Sequence, residues 1–183
     1  MHSQPHAQRG FTLTELLITL AIAGILAMVG APAMGSLLAR TRGANTEAAI
    51  ADTLRHARTA AVMRNARVLV CPSLDGRRCQ SADDWQHGWL VARDADHDGQ
   101  PDAGTQIIAT QAAIPGGTRV VTSAGRKQIA FQPSGSAGGS NVTFTICHAR
   151  ERSGRSVVVA NSGRVRLQGA DATHLQACLA GAP

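Results

Sequence analysis

Two arginines close to the C-terminus, Arg164 and Arg166, stand one residue apart in the run Asn161-Ser162-Gly163-Arg164-Val165-Arg166. A guanidinium group is planar, permanently charged and suited to gripping phosphate with two hydrogen bonds. In a strand, residues two apart point to the same face, about 6–7 Å from each other, which matches successive phosphates along one nucleic-acid strand. Val165 would then face a core, and Ser162-Gly163 would form the preceding turn. Arg150, Arg152 and Arg155 lie just upstream, and Arg126 and Lys127 are expected to join them in space. Aromatic content is 3% with no Tyr, so few rings are available to stack bases. The expected contact is therefore with duplex backbone, without base reading. The competing reading is a solvated edge strand whose arginines discourage edge-to-edge pairing.

The distribution of charge points the same way. Formal net charge is +6, and all but one of the basic residues are Arg. Between Cys71 and Gly116 three Arg face seven Asp, whereas from Gly117 to Pro183 eight basic residues face only Glu151 and Asp171. A positive C-terminal third attracts polyanions.

A different chemistry is written at the other end. From Phe11 to Met34 the chain is apolar apart from one charge, Glu15. About 20 such residues suffice to cross a bilayer core as a helix, and an ordinary secretory signal has an apolar region roughly half as long. A carboxylate inside such a stretch is expensive and marks a function. Cleavage between Gly10 and Phe11 would create a new α-amino group one helical turn before Glu15. The carboxylate of one copy could then neutralise the amine of another within apolar surroundings. The bland alternative is a Glu that snorkels to the membrane interface.

Four cysteines, Cys71, Cys79, Cys147 and Cys178, suit two disulfides in an oxidising compartment and permit three pairings. The expected one, Cys71–Cys79 with Cys147–Cys178, closes each loop within one region. Zinc is the rival, since His148 adjoins Cys147 and His174 lies four residues before Cys178, but no CxxC spacing is present. Asp94, Asp96 and Asp98 followed by Gly99 resemble the start of a calcium loop. The twelfth position carries no Glu, and Pro101 is unusual there. A turn whose Asp side chains hold their own backbone is the expected reading, with no metal and no cofactor. No Ser or Cys nucleophile has a plausible paired base, so an enzyme is not expected.

These groups need elements to position them. Ile50, Leu54, Ala57 and Ala61 recur at helical spacing, so the helix is expected to continue amphipathically to about residue 66 and to lay this stripe on a sheet. After Arg67 short β-type runs follow, separated by Gly, Pro, Ser and Asp: residues 68–71, 89–91, 106–110, 119–122, 128–132, 141–147, 156–160 and 164–167. Such spacing reads as antiparallel sheets. Trp85 and Trp89 are expected in the core, which otherwise must be built from Val, Ile, Leu and Ala.

The stretch Arg9-Gly10-Phe11-Thr12-Leu13-Thr14-Glu15-Leu16-Leu17 resembles the type IV prepilin processing motif. That resemblance implies cleavage by a prepilin peptidase after Gly10, N-methylation of Phe11 and a role for Glu15 in filament assembly. Further along, Cys71-Pro72-Ser73, Asp75-Gly76, Cys79, Trp85, Gly88-Trp89-Leu90-Val91, Phe131-Gln132-Pro133-Ser134-Gly135 and Gly163-Arg164-Val165-Arg166 are similar, in order, to the GspH/FimT family of minor pilins and pseudopilins. Ala92 departs from the family, which often has Phe there. The resemblance implies an α+β, pilin-like fold with a long N-terminal helix, transmembrane in its first half, packed on a C-terminal antiparallel β domain. The organisation is then leader 1–10, transmembrane and filament-core helix 11–34, amphipathic continuation 35–66 and a periplasmic or extracellular domain 67–183. Some FimT-like members bind DNA through a C-terminal GRxR motif. The expected function is a minor pilin that binds double-stranded DNA and supports natural transformation. The alternative is a GspH-like pseudopilin at the tip of a type II secretion system, without DNA binding. Expected partners are other pilins and the inner membrane.

Overall fold

The computed structural model describes residues 11–123, 125–139, 141–148 and 154–180, the side chains of Val29 and Pro32 excepted. The leader with Gly10, and Arg150 and Arg152, lie outside the described residues. The chain divides into two units, residues 1–38 and 39–183.

Helix α1, Leu13–Arg64, runs through both. It starts where Thr12 Oγ1 accepts a hydrogen bond from the backbone N–H of Glu15 at 3.2 Å. Thr12 and Glu15 have the spacing of a capping box, which satisfies backbone donors that the first turn leaves without partners. In the first unit every described side chain from Phe11 to Leu38 is exposed, and apolar residues face all sides. A helix of this kind requires an apolar solvent or apolar partners around it. One window of α1 is long and apolar enough to cross a membrane. The helix ends because Asn65 adopts a left-handed φ of 47°, and Ala66 N–H reaches back to Ala61 O at 3.2 Å.

The second unit is built around the amphipathic remainder of α1. Two four-stranded antiparallel sheets follow. The first has the order β3-β2-β1-β5, from β1 (Val68–Pro72), β2 (Gly88–Arg93), β3 (Ala109–Ala112) and β5 (Ile129–Phe131). The second has the order β4-β6-β7-β8, from β4 (Thr118–Thr122), β6 (Val142–His148), β7 (Arg155–Val159) and β8 (Val165–Gly169). Ile50, Leu54, Ala57 and Ala61 of α1 share one core with Val68 and Val70 of β1, Trp85, Trp89, Phe131, and Val142, Phe144 and Ile146 of β6. Residues 142, 144 and 146 are two apart, as a strand with one face inward requires. The two tryptophans are in the core as expected. Trp89 Nε1 donates to Thr53 Oγ1 at 3.1 Å, and Trp85 stands edge-on to Phe144 with ring centroids 4.8 Å apart.

Two sequence expectations differ from the structure. The strand expected over 106–110 lies at Ala109–Ala112; Ile107 and Ile108 precede it and pack on the core, with Ile108 N–H already donating to Val91 O at 2.8 Å. A second helix, α2 (Ala172–Ala180), was not expected. Its composition carries only a weak apolar stripe. Asp171 starts it by accepting the backbone N–H of His174 at 2.9 Å, and Cys178 is its one buried residue. The disulfides are Cys71–Cys79 and Cys147–Cys178, and the second ties α2 to β6. All four sulfurs are consumed, which removes the zinc alternative.

Candidate nucleic-acid interface

The β7–β8 hairpin positions the arginine pair. Five residue pairs hold the strands in register, from Val159 opposite Val165 to Arg155 opposite Gly169. The turn closes with Gly163 N–H to Ala160 O at 2.8 Å and Ala160 N–H to Arg164 O at 2.9 Å. Val165 packs against the core, so Arg164 and Arg166 emerge on the opposite side, as the alternation of a strand dictates. Both arginines are exposed, and among the described residues neither has an ion-pair partner. β8 is the outermost strand of its sheet, paired only with β7. Arg164 precedes β8 rather than opening it, so the strand is one residue later than expected at its start.

Gly163 is required here. Its φ is +78°, a conformation L side chains rarely adopt, and an added Cβ would run into the backbone carbonyl of Gly135. That carbonyl also accepts Arg58 Nε at 2.9 Å, while Arg58 Nη2 donates to Ser162 O at 3.3 Å. Arg58 thus stitches the 132–137 loop and the hairpin turn to α1. We expect Gly163→Ala to destabilise the folded unit by about 1–3 kcal/mol, read from chemical denaturation, because strain and contact both fall on backbone that cannot rotate away.

The sequence reading missed two helix arginines. Arg55 and Arg58 line a shallow groove of about 320 Å³ together with Thr59, Gly163, Arg164 and Val165. Arg55 pairs with Asp52 at 2.9 Å, but both side chains are largely exposed, so that pair is weak and readily exchanged for a phosphate. Their place off the apolar stripe of α1 was legible, but their meeting with a turn about a hundred residues later was not.

Other expected members are placed differently. Arg155 does not join the pair. It lies at the far end of the hairpin, about 13 Å along the strand from the turn. Its Nη1 is held 2.9 Å from Oε2 of Glu47, which is almost buried. The antiparallel return of the chain separates Arg155 from Arg164, and a carboxylate on α1 claims its charge. Arg126 lies against Gly139, whose N–H donates to Asn161 Oδ1 at 2.9 Å, so it borders the same turn. Lys127 Nζ donates to Ser81 Oγ at 3.2 Å, facing the Cys71–Cys79 loop.

The aspartate loop serves its own backbone. Carboxylate atoms of Asp94, Asp96 and Asp102 lie within 4.8 Å of one another. Asp102 accepts Ala95 N–H at 2.7 Å and pairs with Arg93 at 3.2 Å, and Asp98 accepts Gln100 N–H at 2.7 Å. Asp94 is fully buried, with Gly99 N–H at 3.3 Å and Arg67 Nη1 at 3.1 Å. The Arg67 contact is ionic without hydrogen-bond alignment, for Oδ2 of Asp94 has no aligned donor. Burial raises the Asp94 carboxyl above the ordinary carboxylate range, and Arg67 opposes that rise only in part. A raised acid favours the fold below its unfolded value and loses that contribution as pH climbs through the folded one.

A long N-terminal helix, apolar on all sides before residue 39 and amphipathic after it, joined to antiparallel sheets, defines the class of pilin-like filament subunits. Within that class the chain belongs to the family of the type II transport protein GspH, whose model matches residues 48–163. The prokaryotic N-terminal methylation motif matches residues 5–31. The fold is similar to that of the type IV minor pilin FimU of Pseudomonas aeruginosa strain PAO1, at 18% identity and a TM-score of 0.56, over 70% of this chain and 90% of that one. It is also similar to the minor pseudopilin EpsH from the type 2 secretion system of Vibrio cholerae, at 13% identity and a TM-score of 0.51, over 70% and 97% of the two chains. No curated protein matches the chain.

Proposed function

We propose that this chain is a minor type IV pilin of the FimT type, cut after Gly10 by a prepilin peptidase and methylated on Phe11. It is held by its first helix in the inner membrane before assembly and then incorporated into a pilus, where it binds double-stranded DNA without sequence preference and supports natural transformation. The observation that carries the DNA reading is the exposed pair Arg164 and Arg166, without ion-pair partners among the described residues and set on a rigid turn at the edge of a sheet. Arg55, Arg58 and Arg126 around that turn add positive charge. Cations that meet phosphates release condensed counterions, which is the main source of sequence-independent affinity. The arginines expected at 150 and 152 belong to the proposal by sequence position, and Arg155 contributes only long-range charge.

The test uses the full processed chain in neutral detergent and a labelled duplex of mixed sequence, with affinity followed against sodium chloride. Arg164→Ala with Arg166→Ala is expected to flatten the log–log salt slope by about 1.8, two phosphate equivalents. Equal slopes for wild type and double variant would overturn the assignment. A second reading, a structural pseudopilin at a type II secretion tip without DNA binding, is favoured by the description of the matched family. Absence of DNA binding by the wild type at low salt would select it.

A further inference from the structure

Arg77 and Arg78 are adjacent, exposed and without an ion-pair partner among the described residues. They sit in an unusually constrained loop. The Cys71–Cys79 disulfide closes it. Asp75 Oδ1 accepts the backbone N–H groups of Arg77 at 2.8 Å and Arg78 at 3.0 Å, and Ser73 Oγ accepts that of Gly76 at 3.0 Å. Gln100 clamps the far side, accepting Cys79 N–H at 2.9 Å and donating to Cys79 O at 3.3 Å. The backbone N–H groups of Arg77 and Arg78 hold the exposed Asp75 carboxyl below the ordinary range, so its charge fastens the loop backbone. The two guanidinium groups are thereby presented outward on a backbone that has already lost its conformational freedom, which reduces the entropic cost of binding an anion.

The surroundings form a track. A groove of about 450 Å³ is lined by Arg77, Arg78, Cys79, Gln80, Gln100 and Pro101. A second groove of about 540 Å³ shares Cys79, Gln80 and Gln100 with it and continues to Arg126 and Lys127. Asp98 also lines this second groove, and its Oδ1 accepts Gln100 N–H at 2.7 Å. Arg126 in turn borders the turn that carries Arg164. Cations therefore succeed one another from the disulfide loop to the β7–β8 hairpin, over a floor that includes Gln and Ser side chains able to donate to phosphate oxygens.

We propose that the Cys71–Cys79 loop is a second DNA-backbone contact, with Arg77 and Arg78 neutralising phosphates of the duplex held at Arg164 and Arg166 and with Arg126 and Lys127 between the two lobes. This inference rests on the DNA reading given above. The loop supplies charge and a fixed shape but no ring to stack on a base, so it extends the footprint without adding sequence preference.

The same salt titration separates the two claims. Arg77→Ala with Arg78→Ala is expected to lower the log–log slope by about 1.8, and adding Arg164→Ala and Arg166→Ala by about 3.6 in total. Arg77→Lys with Arg78→Lys keeps the charge and is expected to keep the slope. Thermal melts of all variants should coincide with wild type, since these side chains are exposed. If the Arg77/Arg78 variant retains the wild-type slope while the Arg164/Arg166 variant loses it, the second contact is wrong and the function stands. If the wild type fails to bind DNA at low salt, the function fails and takes this inference with it. If the Arg77/Arg78 variant instead loses binding to phosphatidylglycerol vesicles and keeps the DNA slope, the loop faces lipid and the proposal is overturned.

Discussion

Replacing Glu15 by Gln is expected to reduce incorporation of this chain into filaments at least tenfold, measured as the fraction recovered in sheared filaments on an immunoblot. The physical reason is the cost of a lone carboxylate beside an apolar helix. Two opposite charges about 4 Å apart attract by roughly 4 kcal/mol at an effective dielectric near 20, and a difference of about 1.4 kcal/mol already changes an equilibrium tenfold. Glu15 has a local role as well, which must be kept apart from assembly. It stands at the third helical position after Thr12, whose hydroxyl accepts its N–H. Gln serves a capping box as well as Glu does, so the Gln variant removes the charge and keeps the cap. Thr12→Ala does the reverse, costing about 1 kcal/mol of local helix stability while leaving the carboxylate in place. Loss with the Gln variant and retention with Thr12→Ala assigns assembly to charge. Wild-type incorporation of the Gln variant would show that no amine on a neighbour depends on this acid.

The largest effect on folding is expected at Trp85. Trp85→Ala should cost about 3–5 kcal/mol in chemical denaturation and lower the melting midpoint by about 10 °C or more. The chain has two Trp and three Phe, and Phe11 is exposed on the N-terminal helix. Four rings, Trp85, Trp89, Phe131 and Phe144, are therefore the aromatic content of the core between α1 and the sheets, and the aliphatic neighbours are each smaller than the space an indole leaves. Trp85 also carries an anomaly that sharpens the test. Its buried indole N–H has no partner among the described residues, whereas that of Trp89 bonds Thr53. An unpaired buried donor costs about 1–3 kcal/mol, so Trp85→Phe recovers part of what it loses in volume and should cost no more than about 1.5 kcal/mol. If Phe and Ala are equally damaging, the ring volume is not what matters at this position.

Much of the fold was legible because its signals are local. The helical stripe Ile50, Leu54, Ala57 and Ala61 and the alternating strand at 142–146 both lie where periodicity puts them. Helix α2 was not legible, since beyond the expected Cys147–Cys178 bond its docking depends on Arg119, whose Nη1 donates to Cys178 O at 3.0 Å while its Nη2 holds Asp84 at 2.9 Å. Both partners are distant in sequence, and neither leaves a periodic trace.

The amino-acid order alone determined the apolar N-terminal helix, its single acid and the strand alternation that sends Arg164 and Arg166 away from Val165, because hydropathy and spacing act on neighbours along the chain. Only the tertiary structure decided which cations share a surface. Arg58 meets Ser162 across 104 positions, yet Arg155, nine positions from Arg164, is held at the other end of the hairpin by Glu47. Reversal of the chain at each turn exchanges closeness in sequence for closeness in space, and charge patches follow space.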